Sequence, residues 1–191
     1  AGAKSFTHLG NGCPQELDRH NNIIWRGIEA TALHVGLIPD SIHVSPMLFR
    51  IMHRAMDPAR FWYTTDAVHP AGALPGIFRS EDGALEVGPD QVVRKPGATN
   101  FAGSALRPLE GIFRAADMLG CAWRDVWDFY SIQPRKMVGL DPHQLAVGKP
   151  ASFCVYDGRK KESPEIATYI GGKLKATLPA QGWMKSAGIT E

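Results

Sequence analysis

The chain has 191 residues, 44% hydrophobic and 21% charged, a composition that suits a globular protein with a real core and does not indicate disorder. Lys and Arg number 21 against 19 for Asp and Glu, and the formal net charge of +2 sets up no field for nucleic acid or an anionic membrane, so neither partner is expected. No apolar stretch reaches bilayer length, and residues 1–6 carry no charged-then-apolar leader, which reads as cytoplasmic.

The chain opens without Met in an apolar segment, which reads as a beginning in mid-fold. Ser5-Phe6-Thr7 before His8 forms the first predicted buried strand. A helical pattern over 24–35 follows, then a second strand at Ser41-Ile42 before His43, a helix over 46–56, and a third strand, Phe61-Trp62-Tyr63-Thr64-Thr65, before Asp66. This alternation predicts a parallel α/β domain. Between Ala67 and Asn100, Pro and Gly residues break every regular pattern, and a long loop with a hairpin turning at Asp82-Gly83 is expected. The clearest helix runs over 104–119. Leu106, Leu109, Ile112, Phe113 and Ala116 mark its apolar face, Pro108 interrupts its first turn, and Gly120 is its left-handed stop. A further helix reads through Trp123, Val126, Trp127 and Tyr130. Beyond Gly148, strand-like runs over 152–156 and 167–170 suggest a small separate β layer. Cys13, Cys121 and Cys154 are far apart and odd in number, with no Cys-x-x-Cys pair, so buried thiols in a reducing compartment are expected rather than a disulfide framework or a zinc ribbon.

In a parallel barrel the catalytic groups stand at the carboxy-terminal ends of the strands. His8, His43 and Asp66 each follow a predicted strand; a lone His there is more often a hydrogen-bonded structural residue, and three such residues on successive strands shift the balance toward a site. Asp66 suits either a partly desolvated carboxylate that moves protons or an Asp that caps the loop after it. The His8 imidazole suits a divalent cation, but one ligand is not a site, and no His-x-His or His-x-x-x-His pair is present. Asn11-Gly12 can turn backbone N–H groups toward a phosphate, with Arg19 as a bidentate partner, or can be a plain loop beside a solvated cation. Ala102-Gly103-Ser104 can hold an anion or simply start a helix. His34 and His53 lie in predicted helices and His143 in a turn, as packing or surface residues, while His20 and His69 stay unassigned.

Thr7-His8-Leu9 with Asn11, Ile42-His43-Val44, Thr65-Asp66-Ala67 with Pro70-Ala71-Gly72, Ala102-Gly103-Ser104 and Gly148-Lys149-Pro150-Ala151-Ser152-Phe153 follow one another in an order and spacing that resembles the N-acetylglucosamine-6-phosphate deacetylase family. The resemblance implies the carboxy-terminal part of a (β/α)8 barrel, about its last three strands and helices, over residues 1–147, with part of an accessory β layer over 148–191. It implies a metal-dependent amidohydrolase that splits N-acetylglucosamine 6-phosphate into glucosamine 6-phosphate and acetate. It assigns Asp66 as general acid/base, His8 as ligand to a divalent metal (Zn, or Fe, Mn or Co), and Asn11, Gly12, Arg19, His43, Ala102 and Gly103 to the amino-sugar phosphate. It also implies a homodimer, with Arg19 and His43 able to serve a neighbouring subunit's site. Where that family carries Arg-Glu-Pro-Gly, this chain has Arg19-His20-Asn21-Asn22, and Gly10 replaces a usual aromatic residue. The family's other metal ligands lie upstream of the residues matched here, so the chain alone is expected to be inactive and to need a further segment. Two alternatives stand beside this reading: an amidohydrolase acting on another N-acyl sugar or cyclic amide, and a non-catalytic fragment that packs into a larger assembly.

Overall fold

The computed structural model describes residues 2–157 and 165–179. Its contacts divide the chain into two units, Ala1–Asp141 and Pro142–Glu191.

The first unit begins with a β-α-β-α-β run: β1 (Ser5–Phe6), α1 (Ile23–Glu29), β2 (His34–Leu37), α2 (Pro46–Ala55) and β3 (Phe61–Tyr63). The three strands form one parallel sheet in the order β1-β2-β3, with Val35 paired to both Phe6 and Phe61 and Leu37 to Tyr63. Parallel neighbours need a crossover, and each gap carries a helix. Local chemistry starts both helices. The Asn22 side chain accepts from the N–H groups of Ile24 and Trp25, and Ser45 Oγ accepts from Leu48, with Pro46 in the first turn where its missing N–H costs nothing. Arg60 donates to the carbonyls of Gly27, Ile28, Ala30 and Leu33 at 2.8–3.2 Å. A cation is thereby held on the open carbonyls at the end of α1, which ties the helix to the approach into β3.

Here the sequence-based expectation needs correction. The second strand is His34–Leu37, not Ser41-Ile42, and α1 stops at Glu29 rather than reaching Val35. His34 is therefore a strand residue, and Ser41 sits in a bend at φ 64°. The cause is burial: Val35, Gly36 and Leu37 are all buried, so the strand lacks the alternation that would separate it from a helical pattern.

The expected long loop is also a sheet. β4 (Gly76–Ser80), β5 (Gly83–Val87), β6 (Val92–Arg94) and β7 (Phe101–Ser104) pair antiparallel in sequence order. Ser80 pairs with Gly83, so the hairpin turns on Glu81-Asp82, one residue before the expected position. Val87, Val93 and Ala105 give this sheet its own small core, with Val68, Phe78, Leu85 and Ala102 packed against it.

α3 (Pro108–Leu119) follows, ended by Gly120 at φ 65°, ψ 38° as expected. It starts four residues later than the pattern suggested, because Ser104 closes β7 and Pro108 serves as a helix start rather than an interruption. α4 (Trp123–Val126), a 3₁₀ turn over Trp127–Phe129 and α5 (Ile132–Met137) complete the unit. The main core joins Val35, Leu37, Phe61 and Tyr63 from the parallel sheet to Phe49 and Met52 of α2 and to Ile112, Ala115 and Met118 of α3.

The second unit contains β8 (Phe153–Asp157), β9 (Glu165–Ile170) and β10 (Lys173–Pro179), an antiparallel sheet in the order β10-β9-β8, with Gly171-Gly172 as its tight turn. Residues 158–164 and 180–191 of the expected accessory layer lie outside the described residues. The three cysteines are free as expected but not buried, since Cys121 and Cys154 are exposed and Cys13 is half-buried. Among the described residues no helix is long and apolar enough to cross a membrane.

Candidate active site

Because β1, β2 and β3 are parallel, their carboxy-terminal ends share one edge, and three ionisable residues follow those ends: His8, Asp40 and Asp66. The strand ladder extends toward them through Leu9 N–H to the Gly36 carbonyl at 2.9 Å and Thr64 N–H to the Leu37 carbonyl at 3.0 Å. His8 and Asp66 then depart from strand geometry, with φ of 34° and 51°. A non-glycine residue in this region carries local strain, and such strain collects at functional sites.

His8 is half-buried, and its Nδ1 is a buried atom without a hydrogen-bond partner among the described residues. Asn11 N–H closes a turn onto the His8 carbonyl at 2.9 Å, and Gly10 and Gly12 take positive φ. Asn11-Gly12 therefore stands beside His8 by direct chain connection. Among the described residues no hydrogen bond or ion pair links the Arg19 side chain to this group. Arg19 is exposed, next to an Asp18 turn whose Oδ1 accepts from the N–H groups of His20 and Asn21, and its own carbonyl accepts from the Trp25 indole. Those two N–H groups hold the Asp18 carboxyl below its usual range.

Asp66 is brought to β7 by long-range pairing. Ser104 N–H donates to the Asp66 carbonyl at 2.9 Å, and Val68 N–H donates to the Ser104 carbonyl at 3.0 Å. Gly103 sits in this seam at φ 88°, where an added Cβ would lie 2.4 Å from Val68 Cγ1 and 3.4 Å from the Asp66 carbonyl oxygen. Only glycine fits this position. Ala102 and Gly103 are thus beside Asp66, but on a strand and not at the helix start the sequence suggested. The Asp66 backbone N–H is held by Thr64 Oγ1, while among the described residues its carboxylate has no hydrogen-bond partner.

His43 is buried, and its Nδ1 lies 2.5 Å from Asp40 Oδ2. Asp40 Oδ1 accepts from the N–H groups of Ile42 and His43, both at 2.9 Å. The Phe101 ring of β7 meets the imidazole edge-on at 5.0 Å between centroids, and His43 Nε2 is buried without a partner among the described residues. From α3, Arg114 donates to the Asp40 carbonyl at 2.7 Å and pairs with buried Glu110. Asp40, Arg114 and Phe101 were missed by sequence reasoning. Asp40 did carry a signal, as the first polar residue after the buried run 35–39.

Among the described residues no three of His, Cys, Asp and Glu gather as a metal site. His8 can supply one nitrogen ligand, and this donor set alone does not close around a cation.

No family model matches the chain. Among curated proteins it is similar to N-acetylglucosamine-6-phosphate deacetylases of Bos taurus, at 31% identity over 183 residues, and Mus musculus, at 32% over 184, each match covering 91% of this chain and 43% of the relative. An N-acetylgalactosamine-6-phosphate deacetylase of a Shewanella strain is 25% identical over 175 residues. Among solved structures it is similar to N-acetyl-D-glucosamine-6-phosphate deacetylase from Mycobacterium smegmatis, with a TM-score of 0.73, 22% identity, and coverage of 92% of this chain and 46% of that one. The Thermotoga maritima deacetylase gives a TM-score of 0.71 at 21% identity, over 91% of this chain and 47% of that one. These structural likenesses establish a shared mixed α/β fold. The chain spans less than half the length of the curated relatives it matches, and along 91% of its own length its resemblance is to the N-acetylglucosamine-6-phosphate deacetylases, consistent with their carboxy-terminal part.

Proposed function

We propose that the intact protein carrying this chain hydrolyses the acetamide of N-acetylglucosamine 6-phosphate, and that β1 to β3 with their helices are the carboxy-terminal portion of a (β/α)8 barrel. The observation that carries this reading is the placement of His8 and Asp66 at one edge of a single parallel sheet, both at positive φ. In barrels that edge is where catalytic groups collect. Similarity over 91% of this chain to deacetylases named for this substrate supports it.

In this reading the Asp66 carboxylate takes a proton from the attacking water as its oxygen adds to the acetamide carbon. Asp66 returns that proton to nitrogen as the C–N bond breaks, which gives acetate and the free amine. His43, Ala102 and Gly103 face the sugar, and the backbone at Asn11-Gly12 receives the phosphate. Arg19, which is exposed, reaches the phosphate in the site of a second subunit of a homodimer. His8 gives one ligand to a divalent cation, Zn²⁺ or else Fe, Mn or Co, and the remaining ligands come from parts of the intact protein outside the described residues. The enzyme acts in the cytoplasm without nucleic-acid or membrane partners.

One observation favours a second substrate. The Shewanella relative is named for the galacto epimer, and residues 19–22 depart from the family pattern. Acetate release from both epimers, with and without phosphate, separates the readings. Phosphorylated N-acetylglucosamine should be preferred, and Asp66→Asn should lower turnover by at least about 10²-fold with an unchanged circular dichroism spectrum. No acetate from any substrate would overturn the deacetylase reading, and near-normal turnover in the variant would remove Asp66 from the mechanism.

A further inference from the structure

Of the four buried side-chain polar atoms without a partner among the described residues, His43 Nε2 stands out because the other nitrogen of the same ring is held at 2.5 Å by a buried carboxylate. A carboxylate accepts and does not donate, so the proton of a neutral His43 is kept on Nδ1. Asp40 is itself immobilised on three sides: Oδ1 takes the N–H groups of Ile42 and His43, its carbonyl takes Arg114 Nη1, and Arg114 is anchored to Glu110 within α3. Phe101 closes on the ring edge-on. Its chain continues through Ala102 and Gly103 to Ser104, whose N–H binds the Asp66 carbonyl. A buried imidazole nitrogen with nothing to bind is costly, and one this firmly oriented is suited to a ligand.

The geometry points to Asp40 as a positioning residue that locks His43 in its Nδ1–H form and so presents Nε2 as the hydrogen-bond acceptor for an O–H or N–H group of the acylamino sugar. This inference rests on the deacetylase reading above. Arg114 secures the arrangement from α3 by holding the Asp40 backbone, and Asp40 acts only through His43.

Asp40→Asn in the intact protein tests it. Asn retains Oδ1 for the two backbone N–H groups but places an NH₂ where Oδ2 was. That group donates to Nδ1 and drives the neutral proton to Nε2, so the acceptor is lost. ¹⁵N NMR of labelled histidine should find His43 protonated on Nδ1 in the wild type and on Nε2 in the variant. The specificity constant, kcat/KM, for N-acetylglucosamine 6-phosphate should fall at least about 10²-fold, on the scale known when a carboxylate that orients a catalytic His is neutralised. In a His43→Gln background, Asp40→Asn should add less than about 3-fold, as expected for residues acting as one unit. A wild-type His43 protonated on Nε2 would overturn the inference and needs no variant to be seen. So would an inverted tautomer with kcat/KM unchanged, or losses that multiply in the double variant. Failure of the wild type to release acetate sinks the deacetylase reading and the catalytic half of this inference, while the NMR tautomer judges the Asp40–His43 geometry by itself.

Discussion

His53 offers the most quantitative test of the packing. It lies on α2 with ring centroids 4.7 Å from Phe49, 4.4 Å from Phe61 and 5.5 Å from Phe129, and its Nε2 is 2.8 Å from the Tyr63 hydroxyl. Burial among these rings lowers its pKa from 6.5 to about 4. It also pushes the Tyr63 phenol well above its usual value, so Tyr63 stays the donor and His53 the acceptor. The folded protein resists protonation more than the unfolded chain does, so the unfolded state binds the extra proton as pH falls below 6.5. The stabilising contribution is complete above 6.5 and is lost progressively as pH falls through about 4. A shift of this size corresponds to roughly 3 kcal/mol, and to roughly 2 kcal/mol once the partial exposure of the ring is allowed for. The assay is urea unfolding of wild type and His53→Phe across that pH range. The variant strands the Tyr63 hydroxyl and is less stable throughout, but the difference between the two proteins should shrink by roughly 2 kcal/mol toward the acid end. Parallel pH profiles for the two proteins would refute the neutral, buried His53.

Gly103→Ala places a Cβ 2.4 Å from Val68 Cγ1 on a backbone at φ 88°. We expect a loss of about 2–4 kcal/mol in denaturant unfolding, from strain and overpacking together, and a fall in turnover because the seam that holds Asp66 must shift. A variant within about 0.5 kcal/mol of wild type would show that the Asp66–Ser104 seam yields freely. Arg19→Ala should weaken the phosphorylated substrate by about 1.5–3 kcal/mol and leave its unphosphorylated counterpart nearly unchanged, read as separate kcat/KM ratios. Equal losses on both would remove Arg19 from phosphate recognition.

Local signals made several elements legible in the sequence. Ser45-Pro46 starts α2, Gly120 ends α3, and aromatic residues mark β3 ahead of Asp66. Where the reading failed, the missing information was non-local. β2 is four residues long and buried, so its apolar run carried no period of its own. β4 to β7 are three to five residues each, and with Pro and Gly residues in the segments around them only the pairing of one strand with the next distinguishes a sheet from a loop. His43 was singled out for following a strand, yet it stands six residues beyond the end of β2, in a turn shaped by the Asp40 carboxylate.

The sequence by itself determined that His8 and Asp66 follow strands, that α2 starts at Pro46 and that Gly120 ends α3, because these depend on neighbours within a few residues. Tertiary structure decided which of those groups meet. Parallel register set His8 and Asp66 on one edge, pairing with β7 brought Gly103 beside Asp66 and Phe101 onto His43, and Arg114 reached back 74 residues to Asp40. Such contacts depend on how strands pair and how α3 packs on the sheet, and these are set by burial of a shared core that no short stretch of sequence contains.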